Sequence, residues 1–320
     1  MTRAFVFPGQ GSQAVGMGRE LAEAFATARL VFEEIDDALS QRLSRLMFEG
    51  PESELILTEN AQPALMAVSL AVLRVLEKDG GFDLPRGVRY VAGHSLGEYS
   101  ALAGARSFAL ADAARLLKRR GQSMQHAVPV GEGAMAALLG LDLDQARAVA
   151  EAAQPVPESD GKTEICSAAN DNAPGQVVVS GAKAAVDRAI LIAAERGAKR
   201  SILLPVSAPF HCPLMAPAAE TMRAALAEVA LMPPVVPLVT NVTAAAESAP
   251  DAIRRLLVEQ VTGLVRWRES VLYMRQQGVD SIVEIGAGKV LSGLVRRIDR
   301  EIAASALQTP AEIEAFLKGL

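Results

Sequence analysis

Short apolar runs alternate along the chain with longer stretches in which apolar residues recur every three or four positions. The short runs, which predict strands, cover residues 4–7, 88–92, 236–242 and 281–286. The periodic stretches, which predict helices, cover residues 61–78, 107–127 and 287–298. Strands that alternate with helices are typical of a mainly parallel sheet covered on both faces, so these parts of the chain predict an α/β fold.

The middle of the chain has a different order of elements. Strands are predicted at 133–141, 164–170, 175–181 and 199–206, and helices at 142–153 and 182–197. The order β-α-β-β-α-β is the split pattern of small ferredoxin-like domains. We therefore predict an inserted subdomain at 133–204, within a core formed by 1–132 and 205–320. The proline- and acid-bearing segment 154–164 is expected to be a surface loop of that subdomain.

Composition and charge exclude several classes of protein. Half of the 320 residues are hydrophobic, and the net charge of −5 argues against broad nucleic-acid binding. No apolar run approaches about 18 residues, so no membrane span is expected. The N-terminal residues lack the pattern of a signal peptide, and two cysteines cannot form a disulfide framework. These features predict a globular, cytoplasmic protein, and three histidines without metal-ligand spacing predict no metal site.

One pentapeptide stands where a predicted strand meets a predicted helix. Residues Gly93-His94-Ser95-Leu96-Gly97 have the form Gly-x-Ser-x-Gly. Glycines at both ends permit a turn too tight for residues with a Cβ, and the serine then projects from its tip. The turn predicts Ser95 as a nucleophile at the carboxyl end of a strand, where ligands of such folds bind. The alternative is an ordinary turn that contains a serine.

A serine nucleophile needs an adjacent base, usually a histidine. His211 follows an apolar strand in a proline-flanked turn and is the candidate base; the alternative is a loop histidine without a role. His94, next to the serine in sequence, is expected to give packing or hydrogen-bonding support, and His126 to be exposed. Cys212 is expected to be a small buried hydrophobe, because nothing around it suggests a lowered pKa.

Arg120 occupies an unusual position on its predicted helix. It lies three and four residues after Leu117 and Leu116, in the middle of the apolar stripe, whereas the charges beside it face elsewhere. A buried arginine must be paired, because an isolated buried charge costs several kcal/mol. Its partner is either an internal Asp or Glu, or a ligand carboxylate held by the guanidinium fork.

Two glycine-rich segments fit neither common phosphate-loop pattern. "FPGQGSQ" (7–13) has the wrong glycine spacing, and "GAGKVLSG" (286–293) lacks the first glycine of a Walker motif. Both predict tight strand-to-helix turns. Such a turn can direct a backbone N–H at a developing oxyanion, beside the N–H of the residue after the serine.

Five motifs occur in order over essentially the whole chain: "FPGQGSQ", "GHSLGEYSAL", "RGQSMQ", "SAPFHCPLM" and "EIGAGKVLSGL". Together they resemble the malonyl-CoA:acyl carrier protein transacylases of fatty-acid synthesis, within the acyltransferase domain family. The resemblance implies an α/β-hydrolase-like core with a ferredoxin-like insertion. It also implies that Ser95 matches the nucleophile, His211 the base and Arg120 the arginine that binds the malonyl carboxylate. Gln10 and Leu96 match the residues whose backbone N–H groups form the oxyanion hole.

Further positions follow from the same resemblance. Gln260 matches the residue whose backbone carbonyl orients the histidine, where hydrolases use an acid. Asn170 and Asn172 match a subdomain loop that faces the site. Phe210 stands where many stand-alone members have a smaller residue, and a Phe here occurs in malonyl-selective modules of polyketide synthases.

The implied reaction passes a malonyl group from malonyl-CoA to Ser95 and then to the phosphopantetheine thiol of an acyl carrier protein, without a metal or redox cofactor. Two alternatives in mechanism and pathway stay open: a serine thioesterase or esterase with the same turn, and an acyltransferase that serves polyketide synthesis. A non-catalytic interaction domain would be expected to lack the nucleophile or the base, and both are present here.

Overall fold

The computed structural model describes residues 1–154 and 164–320. Within these residues the strands are β1 (Arg3–Phe7), β2 (Tyr90–Gly93), β3 (Gly133–Leu139), β4 (Cys166–Ala173), β5 (Gln176–Ala182), β6 (Arg200–Leu203), β7 (Leu238–Val239), β8 (Ala246–Glu247), β9 (Ser281–Ile285) and β10 (Ala303–Leu307). The α-helices are α1 (Arg19–Ala24), α2 (Ala26–Leu39), α3 (Leu43–Glu49), α4 (Glu52–Leu55), α5 (Thr58–Lys78), α6 (Leu84–Gly87), α7 (Gly97–Gly104), α8 (Leu110–Ala127), α9 (Leu143–Ala152), α10 (Lys183–Glu195), α11 (Ala216–Ala227), α12 (Pro250–Thr262), α13 (Trp267–Gln276), α14 (Val290–Ile298) and α15 (Pro310–Lys318).

The larger sheet has six strands in the order β10-β9-β1-β2-β7-β8. All neighbours in it are parallel except the short pair β7 and β8. Strands β2 and β9 are buried along their whole length, as expected where helices cover both faces of a parallel sheet. The mainly parallel α/β sheet predicted from the sequence is confirmed.

A separate four-stranded sheet is antiparallel, with the order β4-β5-β3-β6. Alternate residues of β3 face opposite ways: Ala134, Ala136 and Leu138 pack with α9 and α10, whereas Met135 and Ala137 join the main core. This sheet therefore has its own small core and also packs on the rest of the molecule. The predicted loop at 154–164 falls almost wholly on 155–163, which lie outside the described residues.

One predicted strand is much shorter than expected. Of residues 236–242 only Leu238–Val239 pair in the sheet, and a turn follows in which Thr240 and Ala244 bond to each other. The chain turns there toward β8, which pairs antiparallel with β7. Asn241 lies in this turn, where its backbone N–H donates to Glu98 Oε1 and its side chain bonds to the serine turn. Hydrophobicity predicted a longer strand and gave no sign of this turn.

The carboxyl ends of β1, β2 and β7 lie side by side at one edge of the large sheet. Gln10 follows β1, Ser95 follows β2 and Asn241 follows β7, so the topology brings these three residues together. None of the helices described is long and apolar enough to cross a lipid bilayer.

Candidate active site

The turn between β2 and α7 is tight enough to demand both of its glycines. A Cβ on Gly93 would lie 1.9 Å from the carbonyl carbon of Gly97, and a Cβ on Gly97 would lie 2.2 Å from the carbonyl oxygen of Phe7. Ser95 is held between them at a φ of 54°, in the left-handed region that a residue with a side chain rarely adopts. The serine therefore occupies a strained elbow and not an ordinary turn.

The side chain of Asn241 is hydrogen-bonded to two residues of this elbow. Its Oδ1 accepts a hydrogen bond from the Ser95 backbone N–H at 2.8 Å, and its Nδ2 donates to the Gly93 carbonyl at 2.6 Å. The side chain is buried, so these bonds satisfy its polar groups. Sequence reasoning missed Asn241, whose only signal was a polar residue directly after an apolar run.

His211 contacts the serine directly. Its Nε2 lies 2.7 Å from Ser95 Oγ, and its Nδ1 lies 2.8 Å from the backbone carbonyl oxygen of Gln260. Because a carbonyl only accepts, the Nδ1–H donates to it and Nε2 is left to accept the serine proton. Burial lowers the pKa of His211 to about 3, helped by the positive charge of Arg120. The imidazole is thus neutral, with its Nε2 directed at the serine oxygen.

Arg120 is buried, with 1% of its surface exposed. Its Nη1 donates to Gln62 Oε1 at 2.8 Å, and its Nη2 donates to Gln260 Oε1 at 2.8 Å and to Ser95 Oγ at 3.2 Å. Its guanidinium carbon lies 5.7 Å from the centre of the Tyr99 ring. Across residues 1–154 and 164–320, no Asp or Glu oxygen lies within 4.0 Å of it. The internal acidic partner considered from the sequence is not in contact with the guanidinium; amide and hydroxyl oxygens take its place.

Glu98, on the first turn of α7, is a second buried ionisable residue that sequence reasoning missed. Its Oε2 accepts from Gln260 Nε2, and its Oε1 accepts from the Asn241 backbone N–H at 3.3 Å. Burial raises the pKa of Glu98 to about 7, although these hydrogen bonds and the charge of Arg120 act against the rise. A glutamate within the apolar helix sequence "GEYSALAG" was the available signal.

One cavity of about 460 Å³ joins the predicted site residues. Five of the six border it, and they are Gln10, Ser95, Leu96, Arg120 and His211. Gln260 is fully buried behind them and contacts Arg120 and His211. In the described part of the chain, the backbone N–H groups of Gln10 and Leu96 donate to no protein acceptor, which leaves both available to a ligand oxygen.

The structure also shows where the other histidines, asparagines and cysteines considered from the sequence lie. His94 Nε2 lies 2.8 Å from Asn172 Oδ1, so the expected hydrogen-bonding support is confirmed, and His126 is exposed as expected. Asn170 and Asn172 lie in strand β4 and not in a loop: Asn170 pairs with Val178 of β5, and Asn172 lies at an irregularity between two paired residues. Cys212 is buried, and burial raises the pKa of its thiol. Among the described side chains, no group of three His, Cys, Asp or Glu could hold a metal ion.

Comparison with known proteins gives a consistent assignment. The sequence profile of the acyl transferase domain matches residues 4–308. The malonyl CoA-acyl carrier protein transacylase of Escherichia coli (strain K12) is 45% identical over 315 residues, with 98% of each chain covered. The structure of the acyl-carrier-protein-S-malonyltransferase from Bartonella henselae is 54% identical, with a TM-score of 0.95 over 100% of this chain and 99% of that one.

A further solved structure contains a malonyl-transacylase in complex with a type II PKS acyl-carrier protein. That chain is 42% identical, with a TM-score of 0.94 and 100% of both chains covered. Matches of this extent and identity establish membership of a family. The chain belongs to the acyl transferase domain family and, within it, to the malonyl-CoA:acyl carrier protein transacylases.

Proposed function

We propose that this enzyme transfers the malonyl group of malonyl-CoA to the phosphopantetheine thiol of an acyl carrier protein, through a malonyl ester on Ser95. The observation that carries the proposal is Arg120, a buried cation that touches the serine hydroxyl and whose protein partners are all neutral. A carboxylate on the acyl group supplies the missing opposite charge. The relatives compared above transfer malonyl groups, by name, which agrees with an acidic acyl group.

In the first half-reaction, His211 Nε2 takes the proton of Ser95 Oγ while the oxygen attacks the thioester carbonyl of malonyl-CoA. The backbone N–H groups of Gln10 and Leu96 hold the oxyanion of the tetrahedral intermediate. When the C–S bond breaks, the proton passes from His211 to the sulfur and CoA leaves as its thiol. The backbone carbonyl of Gln260 keeps the imidazole in the required tautomer throughout.

In the second half-reaction, the thiol of the carrier protein occupies the place of CoA. His211 takes its proton, the sulfur attacks the malonyl ester, and the same two N–H groups hold the second oxyanion. The proton then returns to Ser95 Oγ as the ester bond breaks. Both half-reactions use the same groups, so the enzyme returns to its starting state without a metal or redox cofactor.

Arg120 selects the acyl group in this scheme. A guanidinium has five N–H donors, and three are used by Gln62, Gln260 and Ser95. The Nε–H has no partner although it is buried. Unpaired donors on a buried cation favour a ligand that brings a carboxylate, because a neutral acetyl group leaves them unsatisfied.

The architecture and location predicted from the sequence are part of this proposal. We propose an α/β-hydrolase-like core formed by 1–132 and 205–320, with a ferredoxin-like subdomain at 133–204. The strand order β4-β5-β3-β6 with two helices supports the second assignment, and the serine elbow after β2 supports the first. Both cysteines are free thiols, which supports a cytoplasmic location.

A transfer assay tests the proposed function against hydrolysis by the same site. The enzyme is mixed with malonyl-CoA and a phosphopantetheine-bearing carrier protein, and both malonyl-carrier and free malonate are quantified by mass spectrometry. Malonyl-carrier is the expected product. Accumulation of free malonate at the rate of CoA release, without malonyl-carrier, would show a thioesterase instead.

The pathway is tested by the same assay with two carriers. We propose that the enzyme supplies fatty-acid synthesis, and the resemblance to a malonyl-transacylase bound to a type II PKS carrier makes polyketide synthesis the alternative. A higher kcat/KM with a fatty-acid carrier protein supports the first, and a higher value with a polyketide carrier supports the second.

A further inference from the structure

Glu98 has no role in the reaction described above, although it lies directly behind the serine elbow. Its carboxyl group is buried and contacts neither Ser95 Oγ nor the His211 ring. A buried carboxylate costs free energy unless it is hydrogen-bonded and balanced by another charge. Here the two oxygens accept from Gln260 Nε2 and from the Asn241 backbone N–H, and Gln260 in turn contacts the Arg120 guanidinium.

The Gln260 carboxamide connects Glu98 to Arg120. Its Oε1 accepts from Arg120 Nη2 at 2.8 Å, and its Nε2 donates to Glu98 Oε2 and to the Ser95 carbonyl at 2.9 Å. The opposite orientation of the amide would set its NH₂ against the guanidinium and its oxygen against two acceptors. These partners therefore allow only one orientation of the Gln260 side chain.

Glu98 reinforces that orientation because both of its oxygens accept. One accepts from Gln260 and the other from the backbone N–H of Asn241. A glutamine at this position has one oxygen that accepts and one NH₂ that donates. Its NH₂ must therefore face either the Gln260 amide or the Asn241 backbone N–H, both of which are donors. If the NH₂ faces Gln260, it opposes the NH₂ of Gln260 and weakens the orientation in which Gln260 presents Oε1 to Arg120.

We propose that Glu98 is a positioning residue that acts through the Gln260 carboxamide to hold Arg120 in place for the carboxylate of the incoming acyl group. The proposal rests on the function proposed above and concerns how the enzyme selects malonyl over acetyl groups. The neutral amide separates the Glu98 carboxyl group from the guanidinium, so Glu98 acts on Arg120 without occupying the N–H groups that a ligand needs. A direct ion pair would fill those groups and compete with the substrate.

The test measures the first half-reaction alone, in which no carrier protein takes part. Single-turnover rates of Ser95 acylation by malonyl-CoA and by acetyl-CoA are followed by intact mass. We expect Glu98→Gln, which conserves size, to lower the malonyl rate about tenfold to hundredfold more than the acetyl rate. Glu98→Asp, which is smaller but accepts at both oxygens, should retain more of the malonyl preference than Glu98→Gln.

Ser100→Ala is the matched control. Ser100 lies on the same helix, is fully buried, and its hydroxyl has no hydrogen-bond partner in the described residues. It should leave the malonyl-to-acetyl ratio unchanged. The proposal is overturned if Glu98→Gln lowers both rates in equal proportion, or if Glu98→Asp loses more of the ratio than Glu98→Gln, because a packing role would give those results.

A second variant keeps the proposal testable if the Glu98 variants do not fold. Gln260→Met removes the connecting amide but retains the backbone carbonyl that holds His211. Its malonyl-to-acetyl ratio should fall, and an unchanged ratio overturns the proposal. The unsubstituted enzyme distinguishes the two proposals. If it forms no malonyl ester, the proposed function is wrong. If only the Glu98 proposal is wrong, the unsubstituted enzyme still reacts faster with malonyl-CoA than with acetyl-CoA.

Discussion

Arg120 Nη2 lies 3.2 Å from Ser95 Oγ, so a buried cation touches the hydroxyl that we propose as the nucleophile. The serine oxygen accepts from Arg120 and donates its own proton to His211, which fixes the direction of the hydroxyl. This contact places Arg120, which we propose to select the acyl group, directly against Ser95, which we propose to bind that group covalently.

Arg120→Ala should cut malonyl transfer while leaving acetyl transfer intact or improved. An unpaired buried charge costs a few kcal/mol, and at about 1.4 kcal/mol per factor of ten the selectivity lost is roughly 10²–10³-fold. Arg120→Lys keeps the charge without the planar fork and should recover part of the malonyl rate. The measurement is kcat/KM for malonyl-CoA and acetyl-CoA.

The control is Arg119→Ala, which changes an exposed residue on the same helix. If a folded Arg120→Ala enzyme lost activity equally with both substrates, Arg120 would have a purely structural role.

Malonyl-CoA alone should leave one malonyl group on the enzyme, attached to Ser95. We expect this hydroxyl to be the activated one because it lies at a strained elbow, 2.7 Å from His211 Nε2. Intact mass shows the adduct and peptide mapping places it, while Ser95→Ala should show none and should lack both half-reactions. Label on a different residue of active enzyme would exclude Ser95 as the nucleophile.

His211→Ala should lower turnover by roughly 10²-fold or more, the usual effect of removing a positioned base. The imidazole is oriented by the Gln260 carbonyl and not by an acid, so no Asp or Glu replacement should abolish the basal reactivity of Ser95. Reaction of Ser95 with a neutral sulfonyl fluoride measures that reactivity. If the amide variant of any one acidic residue proved as inert as His211→Ala while staying folded, a triad member would have been overlooked.

The His211 ring should remain neutral well below the pH at which a free histidine is protonated. Its pKa is lowered to about 3 by burial and by Arg120, so protonation requires a more acidic solution than the ordinary value of about 6.5. Carbon NMR of histidine-labelled enzyme, assigned with His211→Gln, should show the neutral ring unchanged from about pH 8 to about pH 5. A titration midpoint near 6.5 would contradict the lowered pKa.

Gly97→Ala should destabilise the protein by about 3 kcal/mol or more. The added Cβ would meet the backbone oxygen of Phe7 at 2.2 Å, and a strand backbone cannot yield as a side chain can. Gly293→Ala is the control, because nothing lies within 4 Å of a Cβ there and alanine favours a helix by about 0.5–1 kcal/mol. Urea unfolding measures both; similar stabilities for the two variants would show that the elbow is not closely packed.

Local pattern was sufficient for much of the fold and for several site residues. The helix at 107–127 was predicted from its apolar stripe, and Arg120 stood out because a charge interrupted that stripe. The elbow at Ser95 could be predicted because so tight a turn requires glycine at positions 93 and 97, and the sequence has glycine at both. His211 and Ser95 were paired by chemical type, since a serine nucleophile needs a base.

The sequence by itself determined which side chains could react, because residue type and helical or strand period are properties of neighbouring positions. Only the tertiary structure decided what surrounds them. The Asn241 side chain bonds to a turn 146 residues away, and Glu98 reaches Arg120 only through Gln260, which is 162 residues distant from Glu98. Hydrogen bonds between buried polar groups depend on which elements the fold brings together, and that information is spread over the whole chain.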